Sequence, residues 1–221
     1  MQSIAIAVLI ALLLLLALAV LALLLVQARN ATAVERRSRT RSPTLTVDEI
    51  NKAKGLAGEV EVAKLLAKSL SARKYTIYNN VVISTTEGRR VTQIDHVVLS
   101  RFGLFVIETK AWPGELSLLD DDRWTQSLGR NFHYKNSPVK QNDHQIARLA
   151  ERLDLAPKSL HGVVCFYGFN TDFRNRMPSN VVHHMELKEY IVGYRQEILS
   201  DEGLALAAET LSGLLDPESD R

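Results

Sequence analysis

The chain has 221 residues, 27 Lys and Arg against 25 Asp and Glu, and one cysteine. Residues 1–41 hold five Arg and one Glu, so the rest carries 22 basic and 24 acidic side chains. That balance excludes a uniformly basic nucleic-acid clamp, and a lone Cys165 excludes an internal disulfide or a cysteine-based zinc site.

The stretch from Ile4 to Val26 has no charge, Gly or Pro. Its 23 residues would reach about 34 Å as a helix, against about 30 Å of bilayer hydrocarbon. A transmembrane helix over 1–27 is therefore expected. A basic juxtamembrane linker over 28–45 follows, with Arg29, Arg36, Arg37, Arg39 and Arg41. Basic residues on that side predict a cytoplasmic C-terminal domain, and Arg29–Arg41 suits anionic lipid. The competing reading is a cleaved signal peptide, with small residues at Ala28, Ala31 and Ala33. The length of the apolar run and the absence of Lys or Arg ahead of it oppose that reading.

Residues 46–221 suffice for one domain. Thr46 or Asp48 caps a predicted helix that runs to about Leu70. Its apolar stripe is Val47, Ile50, Ala53, Ala57, Val60, Ala63 and Leu65 or Leu66. Gly55 and Gly58 cost that helix roughly 1 kcal/mol each relative to Ala. They imply close approach by another backbone, or a break before Glu59. Three strands follow, Tyr75–Ile83, Val91–Ser100 and Gly103–Ala111, separated by Glu87-Gly88 and Arg101-Phe102-Gly103. Trp112-Pro113-Gly114 ends the third. Residues 115–140 read as a short strand, Glu115–Leu118, and a long connection. A helix over about Pro138–Leu153 comes next, then strands His161–Phe169 and Asn180–His184, and helices Leu187–Leu199 and Asp201–Leu215. Cys165 lies among Val163, Val164, Phe166 and Tyr167, so a buried structural thiol is expected.

The middle strands are apolar on both faces. Alternation puts Val97, Leu99, Leu104 and Val106 on one face, and Ile94, Val98, Phe105 and Ile107 on the other. Such strands need helices on both sides. The predicted fold is α/β, a three-layer sandwich with a central mixed sheet and the order α-β-β-β-α-β.

Within those apolar strands stand Asp95, Glu108 and Lys110. Buried charges are costly unless compensated. A two-residue loop at Arg101-Phe102 would set Ser100 opposite Gly103 and Asp95 opposite Glu108, about 5 Å apart at Cβ. Two carboxylates so close repel unless they share a proton or a cation. A hard divalent ion such as Mg²⁺ takes oxygen ligands of this kind. The alternative is a structural ion pair of Lys110 with one acid, with the other near solvent.

Gly55-Leu-Ala-Gly-Glu59, Gln93-Ile-Asp-His96, Gly103-Leu-Phe-Val-Ile-Glu-Thr-Lys110, Trp112-Pro-Gly114 and Gln141 stand in an order and spacing that resembles the nuclease-related domain, or NERD, family. The resemblance covers about residues 50–155. It implies a PD-(D/E)XK restriction-endonuclease-like core over 50–170 and hydrolysis of phosphodiester bonds of DNA or RNA with Mg²⁺ or Mn²⁺. It makes Asp95 and Glu108 metal ligands, with Glu59 holding a second metal or its water. Lys110 becomes the catalytic cation, with Glu59 and Gln141 as further catalytic residues. Gln93 replaces the Pro of the wider superfamily's motif.

From Arg123 to Gln141 there are four bases, Arg123, Arg130, Lys135 and Lys140, and no acid, with Trp124, Phe132, His133 and Tyr134 interleaved. Cations for phosphates and rings for bases suit flexible nucleic acid. The competing reading is a solvated loop with its rings folded onto the core. His96 should face away from Asp95 into the core. His183 and His184 should point to opposite faces, and His133 and His144 lie near the basic segment. The expected protein is a membrane-anchored, metal-dependent nuclease. The alternative is a non-catalytic nucleic-acid-binding or scaffolding module on the same fold.

Overall fold

The computed structural model of the protein describes residues 46–84 and 91–215. The expected membrane span at 4–26, the linker at 28–45 and the Glu87-Gly88 turn lie outside these residues. No helix among the described residues is long and apolar enough to cross a membrane.

Helix α1, Val47–Ser69, begins on a capping box. The Thr46 hydroxyl accepts the Glu49 N–H at 3.2 Å, and the Glu49 carboxylate accepts the Thr46 N–H at 2.7 Å. The helix is continuous through Gly55 and Gly58. Its inner face is Gly58, Val62 and Leu66, and Ala53, Ala57 and Val60 are exposed, which corrects the predicted stripe. Gly58 decides the rotation. A Cβ there would stand 3.1 Å from Ala111 Cβ, so this face is the one that reaches the sheet. Nothing lies within 4 Å of such a Cβ at Gly55.

A five-stranded mixed sheet forms the centre. It contains β1 (Thr76–Ser84), β2 (Val91–Ser100), β3 (Gly103–Lys110), β7 (Leu160–Phe166) and β9 (Val181–His183), in the order β1-β2-β3-β7-β9. The first three strands are antiparallel, and β7 and β9 run parallel to β3. On one side, Val62 and Leu66 of α1 pack with Val98, Phe105, Ile107, Val163 and Cys165. On the other, Leu149, Ala150 and Leu153 of α2 (Pro138–Leu153) and Leu211 of α4 (Asp201–Ser212) pack with Val97, Leu99, Leu104 and Val106. This is the expected sandwich. Ile94 departs from its predicted face and joins the α2 side. The cause is Asn80, whose left-handed φ of 53° interrupts alternation where β1 crosses Asp95.

Residues 114–136 are not a long connection. They form β4 (Gly114–Leu118), β5 (Arg123–Leu128) and β6 (Asn131–Asn136), and with β8 (Thr171–Phe173) make a second sheet ordered β6-β5-β4-β8. Gly129, at φ 65°, and Arg130 make the two-residue turn between β5 and β6. Polar residues dominate both strands, so the hydropathy pattern concealed them. Trp124 anchors the second sheet by stacking on Phe166, centroids 5.7 Å apart. The predicted helix 187–199 is shorter, α3 (Leu187–Val192), and gives way at Gly193.

Candidate active site

The β2–β3 ladder runs from Ser100 opposite Gly103 to His96 opposite Ile107, which is the register expected from a two-residue loop. The next step would pair Asp95 with Glu108, and there the ladder stops. The Asp95 carboxylate itself accepts the Thr109 N–H at 2.7 Å. On the β1 side the pairs step from Asn79–His96 to Val81–Ile94, passing over Asn80 and Asp95. Asp95 thus sits where two ladders open, and its side chain replaces a strand hydrogen bond.

Beyond that point β3 continues beside β7, with Glu108 level with Val164 and Lys110 level with Phe166. Strand alternation sends Glu108 and Lys110 to the face covered by α2 and the second sheet. Lys110 Nζ is paired with Glu108 and donates to Gln141 Oε1 at 3.0 Å. The other Glu108 oxygen accepts from Gln145 Nε2 at 2.6 Å, and that amide also donates to Gln93 O at 3.0 Å. Asn142 Nδ2 in turn bonds Gln145 Oε1 at 3.2 Å and Val106 O at 3.1 Å. Gly162 makes room for this relay: a Cβ there would lie 2.5 Å from Asn142 Oδ1 and 2.7 Å from Ile146 Cδ1. Sequence reading named Gln141 and passed over Asn142 and Gln145. The signal was present, because Gln141 and Gln145 are four apart and share a helix face.

Glu108 is 2% exposed and Asp95 9%. Burial first, then Glu108, pushes the Asp95 carboxyl from 3.8 up to about 8. The half-buried Glu59 carboxyl is also raised, by burial first and then by Glu108, with Lys110 opposing. One lysine therefore does not offset the acids around it. Among the described residues, no three His, Cys, Asp or Glu side chains gather closely enough to hold a metal. The structure brings Asp95, Glu108, Lys110 and Gln141 together, and Glu59 joins them through the field it shares. A hard divalent cation fits the pair. Its donors are carboxylate oxygens, each with a second lone pair free of the bonds described, and they carry uncompensated negative charge.

The basic segment divides. Arg123 is paired with Asp120 at 2.6 Å and Lys140 with Asp122, acids that precede Arg123 in the chain. Among the described residues, no salt bridge forms at Arg130 or Lys135. Trp124 is fully buried, whereas Phe132 and Tyr134 are 57% and 70% exposed and meet edge to face. Lys135 Nζ lies 5.4 Å from the centre of the Trp112 ring. The histidines follow expectation where they are buried. His96 meets Asn79 Oδ1 at 2.8 Å, and burial holds its pKa down to about 4. His183 faces Phe173 and His184 faces Tyr167. His133 and His144 are exposed. Burial pushes the Cys165 thiol up to about 12, an inert core position.

Residues 54–167, more than half of the chain, match the nuclease-related domain family. The chain belongs to that family. The matched nuclease-related domain begins inside α1, ahead of Gly58 and Glu59, and ends at Tyr167, just past β7. It contains every residue of the site and three of the four strands of the second sheet. An uncharacterized protein of Bacillus anthracis is 38% identical over 94 residues, which is 42% of this chain and 43% of that protein. The chain thus spans less than half the length of that relative.

Proposed function

We propose that this nuclease-related domain hydrolyses phosphodiester bonds of DNA or RNA with a bound divalent metal, Mg²⁺ or Mn²⁺. The observation that supports this reading is the opened ladder at Asp95 and Glu108, where two buried carboxylates face one lysine. Asp95 and Glu108 would hold the ion, which when bound polarises the phosphate and lowers the pKa of its water. Gln145 fixes one oxygen of Glu108, leaving a defined carboxylate orientation. Lys110, held by Glu108 and Gln141, presents its ammonium to charge that develops on the phosphate. Glu59 holds a second ion or the water bound to it. The hydropathy of residues 4–26 supports a membrane anchor with the domain on the cytoplasmic side, and Arg29–Arg41 an anionic-lipid contact.

The Lys110–Glu108 ion pair also suits a rival reading, a binding or scaffolding module in which that pair is structural. Cleavage of labelled DNA and RNA by the full chain separates the two, in Mg²⁺, in Mn²⁺ and in chelator, beside Asp95→Asn and Lys110→Ala. Metal-dependent cleavage that both variants lose is expected. Equal products from wild type and variants, or none from any, would refute the nuclease reading. Flotation of the chain with anionic vesicles, with and without residues 1–45, tests the membrane contact.

A further inference from the structure

Trp112 follows the site lysine by two residues. It is half-buried, with its ring edge-on to Phe166 at 5.9 Å. Two ammonium groups from separate parts of the chain meet this one indole. Lys110 Nζ is 5.7 Å and Lys135 Nζ 5.4 Å from the ring centre, so the two charges are at most about 11 Å apart. A cation so placed is held by the ring's negative face.

The two lysines differ in what else they meet. Glu108 opposes the charge of Lys110. Among the described residues, Lys135 forms no salt bridge. The acids at the rim of the second sheet are engaged elsewhere, Asp120 with Arg123 and Asp122 with Lys140. A cation steered by an aromatic ring instead of a carboxylate keeps its charge for an anion from solution. Its position is also fixed. Lys135 is level with Trp124 in the β5–β6 ladder, and Trp124 is locked on Phe166 in the core. Phe132 and Tyr134 alternate with Lys135 along β6, so their rings leave by the opposite face and take no part.

We propose that Lys135, positioned by Trp112, is a subsite for a phosphate flanking the scissile one. The substrate is then a nucleic-acid strand with several successive phosphates, not an isolated phosphodiester. This rests on the nuclease reading for the identity of the scissile position. The geometry suits it: phosphates along one strand advance by about 3.4 Å each, so a second cation within about 11 Å of Lys110 meets a phosphate one to three steps away.

Binding tests the subsite apart from turnover. The full chain, in chelator, is titrated with a fluorescein-labelled single-stranded dodecanucleotide at several salt concentrations, read by anisotropy. Lys135→Ala and Lys135→Gln are each expected to weaken binding at least fivefold at low salt and to reduce the log–log salt slope by about one. Trp112→Leu should reproduce that loss and Trp112→Phe should not, with thermal melting used to confirm that each variant is folded. An unchanged slope in both Lys135 variants overturns the subsite, and an unchanged slope in Trp112→Leu overturns the steering by the ring. Failure of the nuclease reading looks different: no metal-dependent cleavage by wild type while the slope still falls in the Lys135 variants.

Discussion

Replacing Asp95 with Asn is expected to flatten the dependence of stability on pH. Burial and Glu108 push the Asp95 carboxyl from 3.8 up to about 8 in the folded chain. The native state therefore keeps a proton that the unfolded chain releases between about pH 4 and pH 8, so stability falls as pH rises through that window. A displacement of about 4 units, at about 1.4 kcal/mol each, sets a ceiling of about 6 kcal/mol. Relaxation and water penetration around a buried charge reduce it, which leaves an expected loss of about 2–4 kcal/mol between pH 5 and pH 8. That is a large share of the whole stability of a domain. The amide introduced by Asp95→Asn would retain an oxygen to accept the Thr109 N–H but could not ionise. The assay is urea unfolding of the full chain in chelator across that range. The wild-type midpoint should fall toward pH 8 and the Asp95→Asn midpoint should fall less. Added Mg²⁺ at pH 8 should restore the wild type and leave the variant unmoved. Parallel pH slopes in the two proteins would refute the burial and the carboxylate pairing together.

Gln145→Leu removes a donor to Glu108 and Gln93 O and strands the Asn142 amide, so it should cost about 1–3 kcal/mol in a melt. It should also lower metal-dependent cleavage at temperatures where the variant is fully folded. Gly162→Ala drives a methyl against Asn142 Oδ1 and Ile146, with an overpacking cost of about 1–3 kcal/mol by denaturant titration. Wild-type stability there would show that α2 does not seat on Gly162. Trp124→Ala should cost about 3–5 kcal/mol, because its ring fills the second sheet's core. Phe132→Ala, on an exposed ring, should stay within about 0.5 kcal/mol of wild type.

Local rules carried much of the fold. The turn at Arg101-Phe102 fixed the β2–β3 register, and double-sided apolar strands demanded helices on both faces. Asp95, Glu108 and Lys110 were legible because charge in an apolar strand is an anomaly visible in a single sequence. The second sheet was not legible. Arg123–Leu128 and Asn131–Asn136 are polar, and they hold because Trp124 meets Phe166, a contact across 42 residues that no local pattern encodes. The α1 stripe misled for a related reason. Apolar residues mark a face that can be buried, but Gly58 against Ala111 chooses the face that is.

By itself the sequence determined the element order, the strand register and the three charges of the site, since periodicity and turn length act within a few residues. Tertiary structure alone decided how those charges are held. Asn80 opens the ladder at Asp95, the Asn142–Gln145 relay orients Glu108, and Asp120 and Asp122 neutralise half of a segment that reads as uniformly basic. Each depends on side chains from different elements meeting, and only packing of the whole chain brings them within hydrogen-bond reach.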